Sequence, residues 1–203
     1  MKRTLAALAL LGLLTSVSSA SAAPKTWAID PNHSTVGFTI RHFFGKVPGS
    51  FGKFSGAVVY DAERPESSST TVEIDASTIN TNNSMRDGDL KGEEFFNVEK
   101  FPTIRFVSTK VVKTGDNQLS VEGNLTMRGV TKTVTLAVTF LGSGPGFNGE
   151  MRAGFDASTR INRKDYGILW NKTLDQGGTM LGDDVDIKIG IEGVIRPPQQ
   201  PKK

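Results

Sequence analysis

Groups able to move protons, bind metals or attack carbon are few in this chain. Histidines number two, His33 and His42, and there is no cysteine. With no thiolate and so little imidazole, a dense nitrogen–sulfur metal cage cannot be assembled. A Ser-His-Asp triad can be written on paper from either histidine, but no nucleophile elbow surrounds any serine. Both are read as hydrogen-bonding strand or loop residues, and His33 is the one to mutate should the chain prove catalytic. Asp87, Asp89, Glu93 and Glu94 offer paired carboxylates for acid–base work, yet Arg86 and Lys91 interleave them as on a solvated helix face. Gly144, Gly146 and Gly149 match a GxGxxG spacing. That match lies in a hairpin with no helix following, so it lacks the context for a nucleotide. No catalytic group and no metal ligand is assigned.

What the chain does supply is aromatic surface, with 12 phenylalanines in 203 residues. Phe38, Phe54, Phe106, Phe140 and Phe155 fall in strand-like runs, where a packed core is the plain reading. Phe43, Phe44, Phe95, Phe96 and Phe101 fall in connections flanked by glycine and charge. Aromatics so placed suggest apolar lining at the mouth of a barrel, because a small barrel can hold a ligand instead of filling itself.

The elements that would position them are strands. In 33–41, Val36, Phe38 and Ile40 alternate with Thr35, Gly37 and Thr39. The same period of two runs through 51–60, 70–76, 103–112, 149–159 and 184–195. It also places Leu119, Val121, Leu125 and Met127 on one face, and Val134, Leu136, Val138 and Phe140 on another. Turns are marked by Gly115-Asp116-Asn117, by Arg128-Gly129 and by the glycine-rich 142–149. About eight strands with short connections predict an all-β, antiparallel up-and-down barrel, because closure removes exposed edges. A sandwich is the alternative on pattern alone.

One segment, 81–105, breaks the meander. A barrel needs no insertion to close, so this one is expected to cover, plug or line something. A short helix is predicted around 82–92, with Asn82 or Asn83 as N-cap and Gly92 as terminator. A turn or short helix is expected at 162–169.

Residues 1–23 read as a secretory signal. Lys2 and Arg3 are followed by an apolar run and by Ala20-Ser21-Ala22, with cleavage after Ala22 or Ala23. The apolar run is too short for a membrane span of roughly 20 residues, so stable membrane insertion is not expected. The mature chain is one domain, 24–196, followed by a Pro-rich tail, 197–203, expected to fray. Without cysteines, its stability must come from packing. Removing Lys2 and Arg3 from 24 basic residues leaves 22 against 21 acidic ones, interspersed, so nothing asks for nucleic acid.

An ordered set of motifs spans the mature chain. It comprises Trp27-Ala28-Ile29-Asp30 with His33-Ser34, Ile40-Arg41-His42, and 49–56 with Phe51, Phe54 and Gly56. Then come Arg86-Asp87, Glu94-Phe95-Phe96, Lys100 to Phe106, Leu125-Thr126-Met127 with Gly129-Val130-Thr131, and Ile161 to Gly167. From about residue 27 to 195 this resembles the YceI-like family of bacterial periplasmic proteins. The resemblance implies an extended lipocalin-like barrel, a periplasmic location and a long polyisoprenoid held inside, either a polyprenyl phosphate or an isoprenoid quinone. It implies no required cofactor beyond that lipid ligand.

On that footing the expected apolar lining is Phe38, Ile40, Phe54, Val72, Ile74, Leu90, Phe95, Phe96, Ile104, Phe106, Leu136 and Phe155. The expected polar rim is His33, Arg86, Arg160 and Arg163, where arginine's planar fork suits a phosphate or quinone oxygen. Internal ion pairs, Arg86 with Asp87 or Arg163 with Asp165, are the alternative. Where the family often has histidine, this chain has Asp89 and Arg128, so no role of those histidines carries over. A non-catalytic carrier is expected, as a monomer or a homodimer. An enzyme acting on an isoprenoid and a filled barrel serving as a stress-response or interaction module stand as alternatives.

Overall fold

The computed structural model describes residues 23–175 and 177–197. The expected signal peptide as far as residue 22, and the tail from residue 198, lie outside them. The chain begins with β1 (Lys25–Ile29), β2 (Thr35–His42), β3 (Gly45–Phe51), β4 (Phe54–Tyr60), β5 (Ser69–Asp75) and β6 (Ile79–Asn80). The helix α1 (Ser84–Lys91) follows, then β7 (Thr103–Gly115), β8 (Gln118–Met127), β9 (Val130–Pro145), β10 (Met151–Asn162) and β11 (Leu181–Ile195).

Every pairing between these strands is antiparallel, and β11 returns to β1 through Ala28↔Val194 and Ile29↔Gly193. The sheet is therefore a closed barrel, and the sandwich alternative falls. Strands β1 and β2 both run against β11, β3 and β4 run against β2 and β1, and β6 and β5 run against β3 and β4. Each of these consecutive pairs is one barrel staves' worth of chain broken by a turn. With β7 to β11 they make eight tracks in up-and-down order. The breaks fall at 30–34, at Gly52-Lys53 and at the 3-10 turn Ala76–Thr78.

Alternation sets the inner face. Val36, Phe38 and Ile40 of β2 point inward, as do Val185, Ile187, Ile189 and Ile191 of β11, which alternate with Asp184, Asp186, Lys188 and Glu192. Two large rings fit because glycine stands opposite them. A Cβ on Gly49 would sit 2.3 Å from the Phe38 ring, and one on Gly123 would sit 2.4 Å from the Phe106 ring.

The insertion forms as its caps predict. The Asn83 side chain accepts a hydrogen bond from the Arg86 backbone N–H at 3.1 Å, and Gly92 ends the helix. After it, residues 92–102 cross the end of the barrel marked by the Arg128-Gly129 turn. There the Arg128 guanidinium donates to the Phe95 carbonyl, and a Cβ on Gly129 would press 2.7 Å from Phe101. The predicted turn at 162–169 is a 3-10 turn, Arg163–Tyr166, ended by left-handed Gly167 at φ 75°. At the opposite end Tyr60, Phe140 and Phe155 pack ring on ring, with centroids 4.6 to 5.5 Å apart.

Candidate functional site

Side chains do not fill this barrel. They line a cavity of about 890 Å³ whose wall is predominantly apolar. Of the expected lining residues, Phe38, Ile40, Val72, Ile74, Leu90, Phe95, Phe96, Ile104, Phe106, Leu136 and Phe155 all face it. Phe54 does not. It stands where β3 breaks into β4 and is buried in the packed core instead.

The insertion supplies the covering wall. Strand β3 has a strand partner on its far side only at Ser50 and Phe51, where β6 pairs with it. Beyond that point the chain of the insertion takes over. Phe96 meets Phe51 edge to face at 5.8 Å and 88°, and Phe95 lies against Trp170 at 5.4 Å. Leu90 also faces the cavity, and Asp89, Glu93 and Glu94 border it at the insertion, while Met85 stands toward solvent.

The polar rim needs three corrections to its expected membership or partners. His33 is outside the cavity: its Nδ1 lies 2.9 Å from the carboxylate of Asp30, in the break between β1 and β2. Arg160 is outside too, because neighbours along a strand alternate. Thr159 and Ile161 face inward, so Arg160 faces out and binds Asp186 at 2.6 Å. Arg163 does border the cavity, but its guanidinium is committed to structure. It donates to the carbonyls of Gly182, Ile168 and Trp170, and it pairs with Asp183, not Asp165. Burial depresses its pKa, against which Asp183 acts.

Arg86 remains. Its Nε donates to the Thr81 hydroxyl at 2.8 Å and one terminal nitrogen donates to the Thr81 carbonyl at 2.9 Å. Asp87, its partner in the ion-pair alternative, instead accepts from the N–H and hydroxyl of Thr81, at 2.8 and 2.6 Å. A chain of contacts from Asp87 through Thr81 thus holds Arg86 where it borders the cavity, which Asp89, Glu93 and Glu94 border as well. No carboxylate lies within ion-pair distance of it among the described residues.

Sequence reasoning missed Trp170, His42 and Met180, which also line the cavity. Trp170 carried the same signal as the other loop aromatics and was legible on that ground. His42 required knowing that β2 runs to residue 42 with its even positions inward.

A second polar cluster lies outside the cavity. Asp30, His33 and Glu192 converge closely enough to resemble a cation site. The cation there is Arg152, which donates to Glu150, Asp30 and Glu192. The hydrogen bond from His33, opposed by burial, holds the Asp30 pKa below the usual carboxylate value, and Arg152 adds to this.

Comparison with known proteins returns one consistent neighbourhood. A family model described as the YceI-like domain matches residues 27–193. A UPF0312 protein of Enterobacter sp. is 39% identical over 195 residues, 96% of this chain and 98% of that protein. The crystal structure of Burkholderia cenocepacia BcnA superposes with a TM-score of 0.72 at 26% identity, covering 81% of this chain and 98% of that one. A polyisoprenoid binding domain from Saccharophagus degradans superposes at 0.59 and 13% identity, over 82% of this chain and 97% of that one. At that identity the last likeness concerns the fold.

Proposed function

This chain belongs to the YceI-like family, and we propose that it is a periplasmic carrier or sequestering protein for long isoprenoid lipids. The observation that carries this reading is the cavity of about 890 Å³ walled by aliphatic and aromatic side chains. Protein cores are close-packed, with few voids larger than a water molecule. An apolar space of this size therefore reads as a place for an occupant and not as a packing defect, which counts against the filled-barrel alternative.

Hydrocarbon is the occupant that such a wall favours. Each buried methylene is worth about 0.8 kcal/mol, so a few isoprene units sustain affinity without a polar contact. Arg86 adds one polar anchor where the cavity meets the insertion, suited to a phosphate or a quinone oxygen. The polyisoprenoid binding named for the Saccharophagus degradans domain supports the same class of ligand.

Carriage is favoured over catalysis because His33, the histidine singled out as a candidate general base, is misplaced. His33 faces away from the cavity and is engaged with Asp30. His42, which does face it, packs edge-on against Phe43 at 4.7 Å. Trp27 is buried away from the cavity and Trp170 lines it, so tryptophan fluorescence reports on occupancy. Titration with geranylgeraniol delivered from cyclodextrin is expected to saturate and to leave the prenol chemically unchanged. Absence of a saturating response would overturn the reading, and conversion of the prenol would favour the enzyme.

A further inference from the structure

The connection between β2 and β3 is held in a conformation that its sequence disfavours. His42 pairs with Gly45, so Phe43 and Phe44 are the two residues of a tight hairpin turn. Phe43 has φ 50°. Positive φ at the first position of such a turn is where glycine is favoured, and a bulky residue there is a genuine outlier. Backbone held in a sparsely populated region costs of the order of 1–3 kcal/mol and persists where the surroundings impose it.

Those surroundings are identifiable. The Phe43 N–H donates to the Met180 carbonyl at 2.7 Å, and the Arg41 guanidinium donates to the Phe43 carbonyl at 2.9 Å. Arg41 also reaches the carbonyl and hydroxyl of Thr179, at 3.1 and 3.3 Å. The braced turn holds Phe44 wholly in solvent, 100% exposed, with Phe43 at 39%. Nothing in the packing of the barrel uses the Phe44 ring.

The position of this tip tells what it meets. His42 and Met180, the residues in direct contact with Phe43, both line the cavity. Phe43 thus adjoins the rim of the cavity, its ring edge-on to His42 and its N–H on the Met180 carbonyl, and Phe44 stands next to it in water. Beside them Arg41 has no carboxylate within ion-pair distance among the described residues, and Lys46 pairs only with Asp186 at 3.6 Å. Aromatic rings with a flanking cation suit the headgroup layer of a bilayer, where amphipathic anchors settle.

We propose that the Phe43–Phe44 hairpin is a docking point for a lipid bilayer surface, holding the cavity mouth against the membrane during exchange of cargo. This rests on the reading of the cavity as a lipid site. Bound in that way, the lipid tail moves from one apolar phase to another along the Phe43, His42 and Met180 surface, without crossing bulk water.

The test is flotation of the purified protein with vesicles of phosphatidylethanolamine and phosphatidylglycerol. The variants are Phe44→Ser and Phe43→Gly. Glycine suits the backbone at residue 43, so that variant is expected to fold at least as well as the parent while losing an inserted ring. Each substitution is expected to lower vesicle partitioning by about ten-fold or more, from the loss of one buried ring. Uptake of geranylgeraniol from cyclodextrin should be unchanged in both. Equal partitioning of parent and variants, or none by the parent, overturns the proposal. A parent dimer that Phe44→Ser converts to a monomer, with no vesicle association, also overturns it and makes a second copy of this chain the occupant. If the parent takes up no prenol even from cyclodextrin, the lipid-site reading fails, whatever the vesicles show.

Discussion

Phe96 of the insertion meets Phe51 at the end of β3 edge to face, with ring centroids 5.8 Å apart. This contact seats a segment with no strand partner of its own against the wall of a closed barrel. Because Phe96 is only half-buried, it belongs to the cover more than to the core.

Truncating that contact should loosen the cover before it unfolds the barrel. Phe96→Ala and Phe95→Ala are each expected to cost about 1–2 kcal/mol of stability, less than the 3–5 kcal/mol of a fully buried phenylalanine. They should raise the ligand dissociation rate by about ten-fold, as loss of a ring against hydrocarbon implies. Stopped-flow release monitored at Trp170 and thermal unfolding separate the two effects. Unfolding without a change in release would make the segment ordinary core.

Arg86 should set headgroup preference and leave tail affinity alone. A charge-assisted hydrogen bond is worth about 1.5–3 kcal/mol, so the parent should bind farnesyl phosphate roughly ten-fold or more tightly than farnesol. In Arg86→Gln that ratio should collapse toward unity while farnesol binding holds. A ratio unchanged by the substitution removes Arg86 from the site.

Ala157 faces the cavity from β10. Ala157→Phe should fill part of the void, shorten the longest prenol retained and raise the melting temperature by about 2–4 °C. A series of prenols of increasing length, read by Trp170 quenching, reports the cut-off. An unchanged cut-off would mean that the tail does not pass Ala157.

Acid should weaken the cluster of carboxylates around Arg152. Asp30 is held below its ordinary value of 3.8 by its hydrogen bond to His33, against the opposing effect of burial. Glu150 is held below 4.5, first by a backbone hydrogen bond and then by Arg152. A carboxylate depressed in the folded state contributes stability above its unfolded pKa and loses it as pH falls through the folded one. Melting temperature is therefore expected to hold down to about pH 5 and to fall below it. In Arg152→Met the starting value should be lower and the acid slope shallower. A parallel curve would show that Arg152 does not hold these groups.

Much of this was legible in the sequence, and what was not has physical reasons. Period-two alternation gave the inward faces of β2, β5, β7 and β9, and the caps of α1 fell at Asn83 and Gly92 as expected. Strand β3 was hidden because Gly45, Pro48 and Gly49 read as loop, although Gly49 is what admits the Phe38 ring. Arg160 could have been placed outside by parity alone. Arg163 could not, because its partners Gly182 and Asp183 are distant in sequence and meet it only through the register of β11. His33 falls in the break between β1 and β2, where Asp30 engages its ring, and that contact could not be read from strand periodicity.

The central claim is that the barrel carries an isoprenoid lipid unchanged, and the most direct measurement is extraction of natively purified protein into organic solvent followed by mass spectrometry. A stoichiometric isoprenoid lipid, unaltered in mass after incubation and taken up again by the extracted protein, is the predicted result. No stoichiometric lipid, together with no uptake of polyprenyl compounds by the extracted protein, would contradict it.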